Sequence, residues 1–175
     1  MKPINSIESL AKELDNASKT DRPKIIKNLQ LDAEEIKQYA TWCGEGYTRN
    51  CLLRTDDYEL LLLCWDKKSE TPIHDHSGQD CWVYQIAGDI EELRYKENNE
   101  GEIKKTNELT LHEGGISYMH DRMGYHKIKN PNDTRAMTLH IYAEPIDSCN
   151  VFDPKKETFE LAEMEYDTVV EEMIS

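Results

Sequence analysis

From about residue 44 onward the chain is a succession of short apolar runs separated by turn signals, and this pattern most narrows the possible folds. The run Leu60–Trp65 is apolar throughout, and the run Cys81–Ala87 ends at a Gly-Asp turn. Between Ala136 and Tyr142 two sets of side chains alternate, as they do when a strand presents different residues to its two faces. Many short strands with regular turns predict an antiparallel sandwich or barrel.

The first 43 residues have a helical pattern instead. Apolar residues recur at three- and four-residue steps from Ile4 to Leu14, which places them on one face of a helix. Asp21, two residues before Pro23, is typical of the start of a second helix. Asp32, followed three residues later by a glutamate, resembles the capping box of a third. We therefore expect two or three N-terminal α-helices.

The length of 175 residues suits one domain and leaves little room for a second core. We expect a single domain over residues 1–175, with a helical N-terminal segment (residues 1–43) packed on a mainly β barrel. The tail 155–175 is acidic and weakly amphipathic, which favours either a last helix or a loosely held end.

Charge and hydropathy argue against several classes of partner. The 21 Lys and Arg residues against 35 Asp and Glu give a net charge of −14, which repels phosphate backbones and anionic membrane surfaces. No apolar stretch approaches the ~20 residues that a membrane-spanning helix needs. The opening residues lack the basic and then apolar pattern of a secretory signal. We expect a cytoplasmic monomer that binds neither nucleic acid nor membrane.

The cysteines are odd in number and widely spaced, which argues against a disulfide framework. Three of them are expected to be small buried apolar side chains, namely Cys43, Cys51 and Cys64.

Histidines are the candidate metal ligands. His74 and His76 follow Pro72, which favours an extended entry, and in extended backbone residues two apart point the same way. His126 shares one face of a later predicted strand with Ile128. If this strand lies opposite the histidine pair, the three histidines together supply three nitrogens to one cation. The His-x-His pair alone is equally compatible with two surface histidines. We expect His112 and His120 to face solvent.

The spacing of these residues resembles a known family. His-x-His-x4-Cys-x6-Gly over 74–88 and Gly-x10-His-x3-Asn over 115–130 resemble the two cupin motifs, with Cys81 where most cupins carry glutamate. Gly-Tyr-Thr-Arg-Asn at 46–50 and Leu-His-Ile-Tyr at 139–142 make the chain similar to the cysteine dioxygenase family of that superfamily. Leu-Cys-Trp at 63–65 and Asp-Ser-Cys at 147–149 extend the resemblance, which covers roughly residues 25–153.

This resemblance implies a fold, an activity and a site. The fold is a cupin-type antiparallel β-barrel (jelly roll), and the activity is the oxidation of L-cysteine by O2 to cysteine sulfinic acid in cysteine catabolism. Iron(II) is implied as the metal, held by His74, His76 and His126. Arg49 is implied to grip the substrate carboxylate, with Tyr47 beside it. The implied catalytic residues are Tyr142, His140 and Cys81, with a thioether bond joining Cys81 to Tyr142.

The chemistry is consistent with these residue types, and each of them also has an ordinary structural explanation. Three neutral imidazoles leave the charge of a dication uncompensated and about three coordination positions open. Zinc also accepts three histidines, so spacing does not separate it from iron. Most arginines are surface charges, and most barrel tyrosines are core residues with satisfied hydroxyls. Trp65 is equally well explained by core packing, and the role of Cys149 stays open.

Three alternatives to the cysteine-oxidising enzyme remain. The first is a dioxygenase for another small thiol such as 3-mercaptopropionate, although the resemblance implies that such relatives usually have glycine in place of Cys81 and their arginine elsewhere. The second is a non-catalytic metal-binding cupin. The third is a zinc-dependent isomerase, which needs a carboxylate base near the metal, with Asp75 and Asp80 the nearest in sequence.

Overall fold

The computed structural model describes residues 2–170 and begins with short helices. These are α1 (Ile7–Asp15), α2 (Arg22–Ile26) and α3 (Ala33–Ile36), the last continued by the 3-10 turn Lys37–Tyr39. The predicted helices are therefore present within residues 1–43. No helix in residues 2–170 is both long enough and apolar enough to cross a bilayer.

The rest of the described chain is almost entirely β-strand. The strands are β1 (Tyr47–Arg54), β2 (Glu59–Trp65), β3 (Cys81–Ala87), β4 (Ile90–Glu97), β5 (Ile103–Leu111), β6 (Ile116–Met119), β7 (Tyr125–Lys129), β8 (Ala136–Tyr142), β9 (Ser148–Asp153), β10 (Thr158–Glu163) and β11 (Thr168–Val169). One sheet has the order β11-β1-β2-β8-β3-β6, a second has the order β5-β4-β7, and β9 pairs with β10. Bridges from His74 to His126 and to Val151 connect β7 with β9.

The six-stranded sheet is covered on both faces. Leu60 and Leu62 of β2 belong to the core formed with the helices, whereas Leu61 and Leu63 pack in the core that includes Ile90, Leu111 and Ile128 of the three-stranded sheet. Every residue of β2 is therefore buried, which explains its continuous apolar run. The prediction of a mainly β fold is confirmed. Backbone pairing within residues 2–170 gives facing layers and does not close the sheets into a ring.

The C-terminal region differs from the prediction. Thr158–Glu163 forms an antiparallel pair with β9, and Thr168–Val169 pairs in parallel with β1. The Phe159 ring stacks on Tyr125 with a centroid distance of 4.2 Å, which anchors β10 to the sheet. The expectation of a last helix or a loosely held end is therefore wrong for residues 158–169. Residues 171–175 of the predicted tail lie outside the described residues.

The cysteine predictions have mixed outcomes. All five thiols are free, and Cys51 and Cys64 are buried as predicted. Cys43 is exposed, so the prediction is wrong for that residue. It precedes a Gly-Glu-Gly loop, and its Sγ donates to the Glu45 carbonyl oxygen at 2.8 Å.

Candidate metal centre and its cavity

The three predicted metal ligands come together in the structure. His74 and His76 lie in the segment between β2 and β3, and His126 lies on β7. The His74 amide donates to the His126 carbonyl at 2.9 Å, and the reciprocal bond measures 3.0 Å. The Nε2 atoms of His74 and His126 are 3.2 Å apart, and one ligand atom from each of the three rings lies within 4.8 Å of the others.

Hydrogen bonds orient the rings. His74 Nδ1 lies 2.9 Å from the Pro72 carbonyl oxygen, and His126 Nδ1 lies 2.9 Å from Glu92 Oε1. Each bond places a proton on Nδ1, so the Nε2 lone pairs of the two rings face one another. Both ring nitrogens of His76 are buried and have no hydrogen-bond partner. A cation at this point would bind one nitrogen of each ring and give His76 a partner, and so the residues present fit a metal ion.

The charge state of the imidazoles also suits a metal. Burial and the neighbouring His76 lower the pKa of His126 to about 4. Burial and the neighbouring imidazoles hold the pKa of His74 well below its usual range. Both rings are therefore neutral near pH 7, which is the form that binds a cation.

Glu92 on β4 is a functional candidate that the sequence reasoning missed. Its side chain is buried, accepts from Ser117 Oγ, and pairs with Arg94 at 3.3 Å as well as with His126. Burial alone would raise the pKa of Glu92, but the His126 and Ser117 hydrogen bonds lower it to about 2. The sequence did contain a signal for it: Glu92 lies two positions after Ile90, so the two side chains share the inward face of a strand, where a charged residue is unusual.

Two carboxylates hold the segment that carries the histidine pair. Asp121 accepts from the His76 amide at 2.7 Å, and Asp75 accepts from the Asn150 amide at 2.8 Å and from its side chain at 2.6 Å. Asp80 instead accepts from the Tyr118 hydroxyl at 2.5 Å. The two acids considered for an isomerase are therefore engaged in structural hydrogen bonds.

A cavity of about 60 Å³ lies beside the histidines. Its lining includes residues that the sequence analysis singled out, namely Tyr47, Arg49, His74, His140, Tyr142 and Cys149. Met164 also lines the cavity and was not predicted. Trp65 packs against Tyr47 with tilted rings and a centroid distance of 4.9 Å. Trp65 therefore supports the cavity wall from behind.

Arg49 provides a cation at this wall. It lies on β1, is half-buried, and donates from Nη1 to the Glu165 carbonyl oxygen at 2.7 Å. No carboxylate in residues 2–170 forms an ion pair with its guanidinium in the structure. A guanidinium of this kind can make two parallel hydrogen bonds to the carboxylate of a ligand.

Tyr142 and Cys81 lie directly opposite each other on the adjacent strands β8 and β3. Both side chains are buried, and the Tyr142 ring centroid lies 6.2 Å from that of His76. Burial and the neighbouring Cys81 raise the pKa of Tyr142 well above its usual value, so its hydroxyl stays protonated.

His140 lies between Thr138 and Tyr142 on the same face of β8. The Trp65 indole donates to Thr138 Oγ1 at 2.9 Å, and the Thr138 hydroxyl lies 3.1 Å from His140 Nε2. The ring centroids of His140 and Tyr142 are 6.3 Å apart. His140 is thus fixed from the Trp65 side, and its predicted action on Tyr142 stays a prediction.

Facing, mainly antiparallel layers around a largely buried three-histidine cluster define a mainly β protein with a candidate mononuclear metal centre. The model of the family "Cysteine dioxygenase type I" matches residues 7–155. The chain belongs to this family, as predicted from its motifs.

Individual proteins show the same relationship. Cysteine dioxygenase type 1 of Homo sapiens is 30% identical over 135 residues, which cover 75% of this chain and 68% of that protein. Cysteine dioxygenase type 1 of Danio rerio is 27% identical over 166 residues, covering 89% and 82%. A crystal structure of a Thermus thermophilus protein matches in fold with a TM-score of 0.51 at 19% identity, covering 62% of this chain and 93% of that one.

Proposed function

We propose that this protein is a cytoplasmic cysteine dioxygenase that acts at a mononuclear non-haem iron(II) centre in a cupin-type barrel. It would add both atoms of O2 to the sulfur of L-cysteine and so form cysteine sulfinic acid. The electrons that reduce O2 come from that sulfur, so no separate reductant is needed. The observation that carries the proposal is the largely buried three-histidine cluster beside a cavity that Arg49 lines, in a chain of this family.

His74, His76 and His126 would hold the metal. Iron(II), when bound, supplies the activation of dioxygen and favours the thiolate form of the substrate. The chain supplies no anionic ligand at this point, because imidazole binds a metal as a neutral ligand and Cys81 stands where most cupins carry glutamate. A site of this kind retains open positions for a small ligand that binds through sulfur and nitrogen.

Arg49 would orient the substrate. Two parallel hydrogen bonds from its guanidinium to the carboxylate fix the direction in which the thiol and amine point. Tyr47 lines the cavity beside it, and its hydroxyl can add a further bond. Leu63, Ile128 and Ile146 form an apolar region of the lining that excludes bulk water.

Tyr142 would act as a hydrogen-bond donor to the reacting atoms, since its phenol remains protonated. A thioether to Cys81 would hold the ring in place. Its formation joins Cys81 Sγ to a ring carbon of Tyr142, breaks one S–H and one ring C–H bond, and passes the two protons and two electrons to O2, which is reduced to hydrogen peroxide.

Intact-mass spectrometry tests this cross-link. We expect a loss of two hydrogen atoms after incubation with iron, cysteine and oxygen, and an unchanged mass for Cys81→Ser treated in the same way. An unchanged mass for the wild-type chain would contradict the thioether.

An oxygen electrode tests the activity. Iron-loaded wild-type protein should consume O2 on addition of L-cysteine, whereas His126→Ala with a retained circular dichroism spectrum should not. Stable metal binding without thiol-dependent oxygen uptake would favour the non-catalytic alternative. Both L-cysteine and 3-mercaptopropionate present a carboxylate to Arg49, so the assay compares them at equal concentration. Clear preference for 3-mercaptopropionate would overturn the choice of L-cysteine.

A further inference from the structure

Residues 164–170, here the C-terminal strap, lie beyond the residues 7–155 that the family model matches and begin at Met164, which lines the cavity. Three backbone hydrogen bonds fasten the strap. The Met164 amide donates to the Asp147 carbonyl at 2.8 Å, Asp167 to Arg49 at 2.8 Å, and Val170 to Cys51 at 2.9 Å. The strap is therefore joined to β1 on both sides of Asn50.

Three consecutive strap residues contact Arg49. The Glu165 carbonyl oxygen accepts from Arg49 Nη1 at 2.7 Å, and the Arg49 Cζ lies 5.7 Å from the centre of the Tyr166 ring. The Asp167 carboxylate accepts from the Arg49 backbone amide at 2.7 Å. These contacts restrain the guanidinium, and the Asp167 carboxylate is engaged with the backbone instead of with that charge.

Tyr166 is itself held by a hydrogen-bonded network that ends on the buried carboxylate of Glu59. Its hydroxyl contacts Glu59 Oε1 and accepts from Arg54 Nη1 at 2.5 Å, and Arg54 Nη2 pairs with Asp147 at 2.7 Å. Glu59 is 0% exposed, and its second oxygen has no partner. Burial and the Glu59 hydrogen bond raise the pKa of Tyr166 to about 12, so the phenol donates to the carboxylate.

We infer that Tyr166 is a positioning residue, which holds the Arg49 guanidinium where it meets the carboxylate of the substrate. The ring rests on the guanidinium, and the hydroxyl fixes the ring against Glu59 and Arg54. Recognition of the carboxylate thus depends on the C-terminal strap. This inference rests on the proposed function, because it takes the ligand to be a thiol that bears a carboxylate.

Anaerobic ligand titration of the iron(II)-loaded protein tests the inference without any turnover. Tyr166→Leu should weaken binding of L-cysteine about tenfold, since the Arg49 guanidinium loses the ring that restrains it for the bidentate contact with the carboxylate. Binding of cysteamine should stay unchanged, because that compound has the same thiol and amine without the carboxylate. Val169→Ala is the matched control on the same strap, since that side chain is 58% exposed, and it should change neither affinity.

A double-mutant cycle separates positioning from general damage. In the Arg49→Ala background, Tyr166→Leu should have no further effect on L-cysteine binding, because the group that it positions is gone. If Tyr166→Leu does not fold, Tyr166→Phe takes its place and should weaken L-cysteine binding at least about threefold.

Equal weakening of both ligands in a folded variant, or no weakening of either, would overturn the role of Tyr166. An additional loss in the Arg49→Ala background would do the same. Failure of the proposed function is visible separately, as wild-type protein that binds L-cysteine but consumes no oxygen.

Discussion

At the scale of single residues, the orientation of His126 depends on a buried carboxylate. Glu92 accepts from His126 Nδ1 at 2.9 Å and is itself supported by Ser117 and Arg94. A carboxylate in this position fixes the ring tautomer and increases the basicity of the nitrogen that faces the metal. We therefore expect Glu92 to contribute to metal binding, although it does not line the cavity.

Glu92→Gln should weaken iron(II) binding by about 10- to 100-fold, because the neutral amide polarises His126 less. Anaerobic metal titration measures the effect, with circular dichroism as the check on folding. Glu91→Gln is the matched control, since the adjacent side chain points away and pairs with Lys129 at 2.6 Å. An affinity of Glu92→Gln within about twofold of wild type would contradict the orienting role.

The metal-free protein should lose stability as the pH falls from about 6.5 to about 4. His126 has a pKa of about 4 when folded against a usual 6.5, so the unfolded chain binds more protons in this window. The expected loss of unfolding free energy is on the order of 3 kcal/mol. Glu92, with its pKa lowered to about 2 from 4.5, adds a further loss below pH 4.5.

Urea unfolding between pH 7 and pH 4 measures this dependence, and His126→Asn should flatten it. A wild-type unfolding free energy that stays constant over the same range would contradict the depressed pKa of the buried imidazole.

At the scale of elements, β2 stabilises the fold through both of its faces. Leu61 is 0% exposed and lies in the core shared with Ile90, Leu111 and Ile128, here the inner core. Leu161 on strand β10 is 70% exposed. Leu61→Ala should therefore lower the unfolding free energy by about 3 kcal/mol, and Leu161→Ala should change it by less than about 0.5 kcal/mol. Urea denaturation midpoints compare the two variants, and similar midpoints would show that the assignment of the inner core is wrong.

Local pattern predicted the central strands well and the last ones poorly. Cys81–Ala87 and Ala136–Tyr142 begin and end as the sequence indicated, because their apolar residues and turn signals are local. Strand β11 depends instead on parallel pairing with β1, and β10, which pairs with its neighbour β9, also packs through Phe159 on the distant Tyr125. Such distant partners leave no periodic signal within the tail itself.

At the scale of the whole molecule, the candidate site joins segments of the chain that are distant in sequence. The spacing of the histidines predicted their convergence, and the motif around Arg49 predicted a residue that lines the cavity, whereas its role there stays a prediction. Glu92, Asp121 and Tyr166 were not predictable in the same way, since each acts through a partner that becomes adjacent on folding. The missed residues therefore orient and restrain groups that the motifs had already identified.

Metal binding should stabilise this arrangement, because the ion would link the segment of His74 and His76 to β7. With free iron(II) at about 1,000 times its dissociation constant, the unfolding free energy should rise by about 4 kcal/mol. Anaerobic thermal unfolding with and without iron(II) measures the shift, and His76→Ala should show little of it. An equal shift in His76→Ala would mean that the stabilising ion binds elsewhere.

The count of iron(II) ions bound per chain tests the central claim most directly. Anaerobic titration of the wild-type protein should give one ion per chain, and each of His74→Ala, His76→Ala and His126→Ala should abolish tight binding while the fold is retained. Undiminished binding in any one of these folded variants would contradict a single centre built from all three histidines.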